Sequence, residues 1–185
     1  MSEDKFNNDF KSDTLAEDQI LLEKILSPLD LRRDLLIEHL HKIQDYFGFL
    51  SEKNLALLAK ILKLSKVEVY EVASFYAHFD IVKEGDIPPP KITIRVCNSL
   101  SCQINGSTTL KNKIIKIFQD QDIRVLDAPC MGRCAFAPAL EIGHFHVENA
   151  NLEKVIEAIE KKWRDPIIPN YQSFYDYINK GGYQK

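Results

Sequence analysis

The sequence predicts an α/β protein: a small helical bundle followed by a small mixed sheet with helices against it. Three observations carry this reading. Residues 15–84 repeat apolar side chains at helical spacing. The stretch Glu84–Pro90, with Gly85 and prolines at Pro88, Pro89 and Pro90, cannot continue a helix and divides the chain. Beyond it, short β-branched runs alternate with helical stripes, so the period switches between two and 3.6.

Taken in order, residues 1–14 are polar with scattered Phe and are expected to be a flexible tail. Leu15–Leu26 is a short helical pattern stopped by Ser27-Pro28. Leu31, Leu35, Leu36, Leu40, Ile43 and Phe47 form the stripe of a second helix, which Gly48 ends as a left-handed cap. Ser51 caps a third helix burying Leu55, Leu58, Ala59 and Leu62. Ser65-Lys66-Val67-Glu68 is a capping box opening a fourth, through Val69, Val72, Ala73 and Tyr76.

In the second half, Lys91–Val96 alternates as a strand running straight into Cys97. A loop holds Cys102, and a helix from about Gly106 to Gln119 buries Leu110, Ile114, Ile117 and Phe118. Ile123–Leu126 is a short strand, and Cys130–Cys134 is the loop after it. Ala139–Ile142 and Phe145–Val147 form a hairpin turning at Gly143. Asn151 caps a last helix carrying Leu152, Val155, Ile156 and Ile159 on one face. The tail from Asp165 is Tyr-rich without strong periodicity. The domains read as 15–84 (helical), 91–162 (sheet and helices) and 163–185 (tail).

The 185 residues are 45% apolar with a net charge of −3, enough for a buried core and without the basic excess of a nucleic-acid binder. No apolar run approaches the length that crosses a bilayer, and the first residues show no signal-peptide core, so a soluble, cytoplasmic protein without direct membrane insertion is expected. There is no G-x-G-x-x-G and no phosphate-cradling loop.

The four cysteines stand in two pairs, Cys97/Cys102 (C-x4-C) and Cys130/Cys134 (C-x3-C). In a reducing compartment such pairs bind metal or do redox chemistry rather than form structural disulfides. Four soft, charged ligands, two per loop, suit a two-iron, two-sulfide cluster, each loop serving one iron. Both loops follow strands, so parallel strands bring them to one end of the sheet. Gly132 stands where positive φ or close backbone approach is required. Asn98, Ser99 and Ser101 offer donors to cluster sulfurs, and Arg133 adds a positive charge beside them, unless it is a plain surface arginine. A four-thiolate zinc site is the serious rival, because its usual form is also paired cysteines. A thioredoxin-type C-x-x-C dithiol is absent.

The stretch Val96–Ile142, with C-x4-C and then Cys130-Met131-Gly132-Arg133-Cys134-Ala135-Phe136-Ala137-Pro138, resembles the thioredoxin-like [2Fe-2S] ferredoxin family, which includes the 24 kDa or E subunit of NADH dehydrogenase and subunits of NAD-dependent formate dehydrogenases and hydrogenases. Leu40–Gly48 and Val69–Tyr76 resemble that family's N-terminal helical region. The resemblance spans roughly Leu31 to Lys161. It implies a thioredoxin-like second domain and one [2Fe-2S] cluster held by Cys97, Cys102, Cys130 and Cys134. It also implies electron transfer within an NAD(H)-linked oxidoreductase, at a potential on the order of −400 mV if plant-type behaviour holds. FMN and NADH are expected on a partner subunit only, and the chain would lie in the cytoplasm or peripheral to the inner membrane through that complex. One departure is the 27-residue connection between Cys102 and Cys130, shorter than in most relatives. Tyr171–Tyr183 resembles the opening of the flavin- and NADH-binding partner, and its bland reading is an unstructured aromatic tail. A zinc-stapled interaction module without redox role is the alternative function.

The remaining candidates read as structural. His144 and His146 are expected to be exposed strand residues, and His39, His41 and His78 solvated or rim residues. Tyr46, Phe47, Phe49, Phe75, Tyr76 and Phe79 read as core or interface aromatics.

Overall fold

The computed structural model describes residues 17–184; the expected N-terminal tail and the first two positions of the first helix lie outside the described residues. Contacts divide the chain into two compact units. The first extends to Lys91 and takes in Asp122–Arg124; the second comprises Ile92–Gln121 and the chain from Val125 onward.

The first unit is helical. Helix α1 covers 17–26, followed by α2 (Leu36–Phe47), α3 (Glu52–Leu62) and α4 (Lys66–Phe75). Its core is Leu22 and Leu26 of α1, Leu40 and Ile43 of α2, Leu55, Leu58 and Ala59 of α3, and Val69 and Ala73 of α4. The caps are those the residue types demand. Gly48 closes α2 at φ +83°, and its N–H reaches the Gln44 carbonyl. Ser51 and Ser65 accept the N–H groups of Asn54 and Glu68, each at 3.1 Å. The other half of the expected capping box is diverted, because the Glu68 carboxylate pairs with Arg33 at 2.8 Å.

Helix α2 starts five residues later than its stripe suggested. Arg33–Leu35 is a 3-10 turn, Arg32 and Asp34 bond to each other in front of it, and Leu31 is exposed. Two parallel two-residue strands, β1 (Leu50–Ser51) and β2 (Ile81–Val82), were not expected. The buried Gln44 amide organises their approach: it donates to the His78 carbonyl at 2.9 Å and accepts from the Asp80 N–H at 2.6 Å. Both sides of a buried amide are thereby satisfied.

His39 corrects another expectation. It is fully buried rather than solvated. Its Nε2 lies 3.1 Å from the Asp30 carbonyl oxygen, which can only accept, so that nitrogen carries the proton; Nδ1 has no hydrogen-bond partner. Burial holds the pKa below the ordinary 6.5, against the upward pull of the Asp30 carbonyl and Glu38 and with a smaller push from Lys42. The folded state therefore prefers neutral His39. The unfolded chain takes up a proton as pH falls through 6.5, so this contribution to stability is complete above that pH and is lost below it. Urea unfolding of the whole chain at pH 7.5 and 5.5 should show a falling midpoint, and His39→Leu should flatten the difference between the two pH values; an unchanged slope in the variant removes His39 as its source.

Apart from the first two residues of β4, the second unit holds a four-stranded sheet of order β4-β3-β5-β6, from β3 (Ile92–Cys97), β4 (Ile123–Ala128), β5 (Leu140–Ile142) and β6 (Phe145–Val147). Antiparallel pairing sets Ile94 opposite Ile142, Val96 opposite Leu140, and Leu140 opposite Val147. Alternation puts these residues on one sheet face, where all are buried. Arg95, Glu141 and His146 share the other face, Arg95 directly opposite Glu141. Helices α6 (Ser107–Phe118) and α7 (Leu152–Glu160) contribute Leu110, Ile114, Phe118, Val155 and Ala158 to the buried set. Asn151 caps α7 through the Lys154 N–H at 2.9 Å. Ile117 is nearly half exposed, so Phe118 alone closes the end of the α6 stripe. The hairpin turns at Gly143, φ +64°, with His144 in the turn rather than on a strand; His144 and His146 are half-buried.

Candidate metal centre

Cys97 is the last residue of β3, and β4 ends at Ala128. The Asn98 N–H donates to the Ala128 carbonyl at 3.0 Å, so the two strand ends lie side by side and both cysteine loops leave from the same edge. The Cys97 N–H meets the Ala139 carbonyl at 3.1 Å, fixing the first cysteine against the run-in to β5.

Cys102 does not sit in a loop, as expected, but inside a short helix, α5 (Leu100–Ile104). Ser99 opens it, and the Gln103 N–H returns to the Ser99 carbonyl at 3.0 Å. One helical turn thus carries Cys102 inward while Leu100 and Ile104 face out at 73% and 76% exposure. Cys97 and Cys102 are each only 2% exposed. They pack with Ala139, and Met131 and Ala137 lie against them.

The second pair is built differently. Cys130 lies in the loop after β4, and Cys134 opens a 3-10 turn, Cys134–Phe136. Both are exposed, and their sulfurs are 3.4 Å apart. Gly132 has φ +74°, with nothing within reach of an added Cβ. Backbone conformation, not close approach, is why glycine stands there. Its N–H points at the Cys130 sulfur at 3.4 Å. The loop is tied down by the Asn149 N–H on the Phe136 carbonyl, 2.7 Å, and the Ala150 N–H on the Pro138 carbonyl, 2.8 Å. Arg133 pairs with Glu148 at 3.5 Å, so its charge is partly compensated rather than free to act on the sulfurs.

The thiols feel one another. Burial raises the Cys97 thiol, yet the Ser99 N–H, the Cys102 thiol, the Ser99 hydroxyl and the Met131 N–H outweigh it and hold Cys97 below the ordinary thiol range. Cys102 is pushed up by burial and by Cys97, against a donor N–H from Ala139. Cys134 is pushed up by its hydrogen bond with Cys130 and by that neighbour's charge, against the Ser101 hydroxyl. The Cys97 thiolate is favoured, and those of Cys102 and Cys134 are opposed. A soft cation is what allows four such groups to ionise together. The donors aimed at them, from Ser99, Ser101, Met131, Gly132 and Ala139, come from both loops and from the strand edge. The sequence pointed to Ser99 and Ser101 as donors and to Gly132 for its backbone conformation, but not to Met131 or Ala139, whose only signal is their position beside the cysteine loops; the N–H of Asn98, also expected among the donors, goes to the Ala128 carbonyl instead.

The residues present therefore fit a group bound by four thiolates. The sequence model of the thioredoxin-like [2Fe-2S] ferredoxin family matches residues 22–162. The chain is 30% identical over 169 residues to the E subunit of the NADH-quinone oxidoreductase of Rickettsia bellii (strain RML369-C), covering 86% of this chain and 96% of that one. It is 30% identical over 120 residues to the HndA subunit of the NADP-reducing hydrogenase of Solidesulfovibrio fructosivorans, covering 58% and 65%. Among solved structures, an air-oxidized NAD+-reducing [NiFe]-hydrogenase matches the fold with TM-score 0.54 at 23% identity, over 70% of this chain and 23% of that one. The relatives are subunits of oxidoreductase complexes, and the cofactor of the family is a [2Fe-2S] cluster. With a family match covering both helical and sheet units, this chain belongs to the thioredoxin-like [2Fe-2S] ferredoxins.

Proposed function

We propose that Cys97, Cys102, Cys130 and Cys134 hold one [2Fe-2S] cluster and that the chain passes single electrons to or from a flavin- and NADH-binding subunit of an NAD(H)-linked oxidoreductase. The observation that carries this is the convergence of all four cysteines on one edge of the sheet, in a chain matching the family over residues 22–162. The cluster, when bound, supplies one-electron redox chemistry. The protein's own contribution is local. Cys97 and Cys102 provide sulfur in an apolar pocket shared with Ala139, Met131 and Ala137, and backbone N–H groups provide fixed donors. Burial and such donors are two of the levers that set a cluster's potential. FMN and NADH belong, on this reading, to the partner. The helical unit and the sheet unit serve as separate parts, 15–84 and 91–162.

The test is direct. Full-length protein purified anaerobically should be red-brown and contain two irons and two sulfides per chain. Colourless protein with one zinc per chain would instead establish the interaction-module reading, which the family match does not favour.

The C-terminal tail supports a role in partner binding. Helix α8 (Phe174–Asn179) is capped by Ser173, whose hydroxyl accepts the Asp176 N–H at 3.1 Å. The Gly182 N–H closes on the Tyr177 carbonyl at 2.8 Å, and a Cβ at Gly182 would lie 2.3 Å from the Tyr177 ring. This local order leaves Tyr171, Phe174, Tyr175 and Tyr183 more than 60% exposed. Deleting Pro169–Lys185 should weaken association with the flavin subunit by about tenfold or more, as loss of an aromatic anchor does, with the visible spectrum unchanged. Unchanged association removes the tail from the interface. No helix among the described residues is long and apolar enough to cross a membrane. Attachment to one would come through the complex.

A further inference from the structure

The two cysteine pairs differ in access, and nothing in the electron-transfer role requires that. Cys97 and Cys102 are 2% exposed, with Met131 and Ala137 packed against them, while Cys130 and Cys134 are exposed. Met131 belongs to the same loop as the outer pair, so a residue packed on the inner cysteines is carried by the segment that bears the outer ones. A bulky incoming group meets the outer sulfurs first and reaches the inner ones only when Met131 moves.

We propose that the two pairs act in sequence during maturation. Cys130 and Cys134 capture a [2Fe-2S] unit delivered on thiolate ligands, and Cys97 and Cys102 then complete the ligand set as Met131 is displaced. The chemistry is ligand exchange without oxidation or reduction. At each pair two bonds from iron to donor thiolates break, two bonds from iron to cysteine sulfur form, and the two cysteine protons leave with the donor thiols. The close approach of the outer sulfurs, 3.4 Å, lets both engage one iron without rearrangement of the loop. The inner pair is the less accessible set, held by the Ser99, Met131 and Ala139 N–H groups. This inference rests on the cluster-binding reading above.

Glutathione-coordinated [2Fe-2S] complex is the probe, mixed anaerobically with full-length protein and followed by native mass spectrometry and visible circular dichroism. The Cys97→Ser/Cys102→Ser double variant should form an adduct retaining two glutathiones, at the rate of the first phase of the unaltered chain. The Cys130→Ser/Cys134→Ser variant should form that adduct about tenfold or more slowly, as expected when only buried thiols remain. Met131→Ala, which leaves all four cysteines in place, should speed the second phase alone. Capture by Cys130→Ser/Cys134→Ser at the unaltered rate, or acceleration of the first phase by Met131→Ala, overturns the order. Failure of the unaltered chain to take up any cluster overturns the cluster-binding reading itself.

Discussion

Cys97→Ser and Cys130→Ser should each lose the cluster, and they should differ in everything else. A hydroxyl is a far poorer iron ligand than a thiolate, so either change removes one of four bonds that hold the group. Iron and sulfide content in anaerobically prepared protein should fall close to zero for both. Their effects on the metal-free chain separate, because the two positions differ in burial. Cys97 is 2% exposed and packed against Ala139. The Ser99 and Met131 N–H groups can still donate to a serine oxygen there, but its own proton has to find an acceptor in the packed site, and leaving it unpaired costs about 1–3 kcal/mol. Cys130 is exposed, and surface substitution there should stay within about 0.5 kcal/mol. Urea titration of the metal-free proteins should therefore show a lower midpoint for Cys97→Ser only. Full iron loading in either variant would mean that the four-ligand assignment is wrong.

The parts of this chain that were legible in its sequence are those whose chemistry is local. A capping serine acts on an N–H three residues away, as Ser51 and Ser65 do, and Asn151 does the same. Gly48 and Gly143 take the positive φ that their positions demanded. The cysteine pairs were legible because two ligands from one loop must be near each other in sequence. What escaped was either too short for a period or decided at a distance. Strands β1 and β2 are two residues each, too few to alternate. Helices α5 and α8 have five and six residues, and neither shows a buried stripe: α5 buries Cys102 alone and α8 buries nothing. His39 looked solvated because histidine on an amphipathic helix usually is; its burial depends on the Asp30 carbonyl arriving from the preceding turn. The unequal exposure of the two cysteine pairs has no sequence signal, since it depends on Ala139, Met131 and Ala137 packing on one pair from a distance along the chain.

Leu140→Ala should be the most damaging single change in the core of the sheet unit. Leu140 is fully buried at the start of β5, with Val96 on one side and Val147 on the other. Truncating a buried leucine removes its transfer free energy and leaves a cavity that the neighbours only partly fill, at about 2–5 kcal/mol. Strand residues flanked on both sides have little freedom to collapse inward, which favours the upper part of that range. The consequence reaches the metal centre because the adjacent residue, Ala139, packs on Cys97 and Cys102 and supplies the N–H that supports Cys102. Cluster release into excess chelator should therefore quicken together with the drop in urea midpoint. Leu100→Ala is the control: it too truncates a leucine, two residues from Cys102 in the chain, but Leu100 is 73% exposed. Its midpoint should move by no more than about 0.5 kcal/mol and its release rate should not change. Equal release rates in the two variants would show that proximity to a cysteine, and not support of the strand edge by the core, controls retention of the cluster.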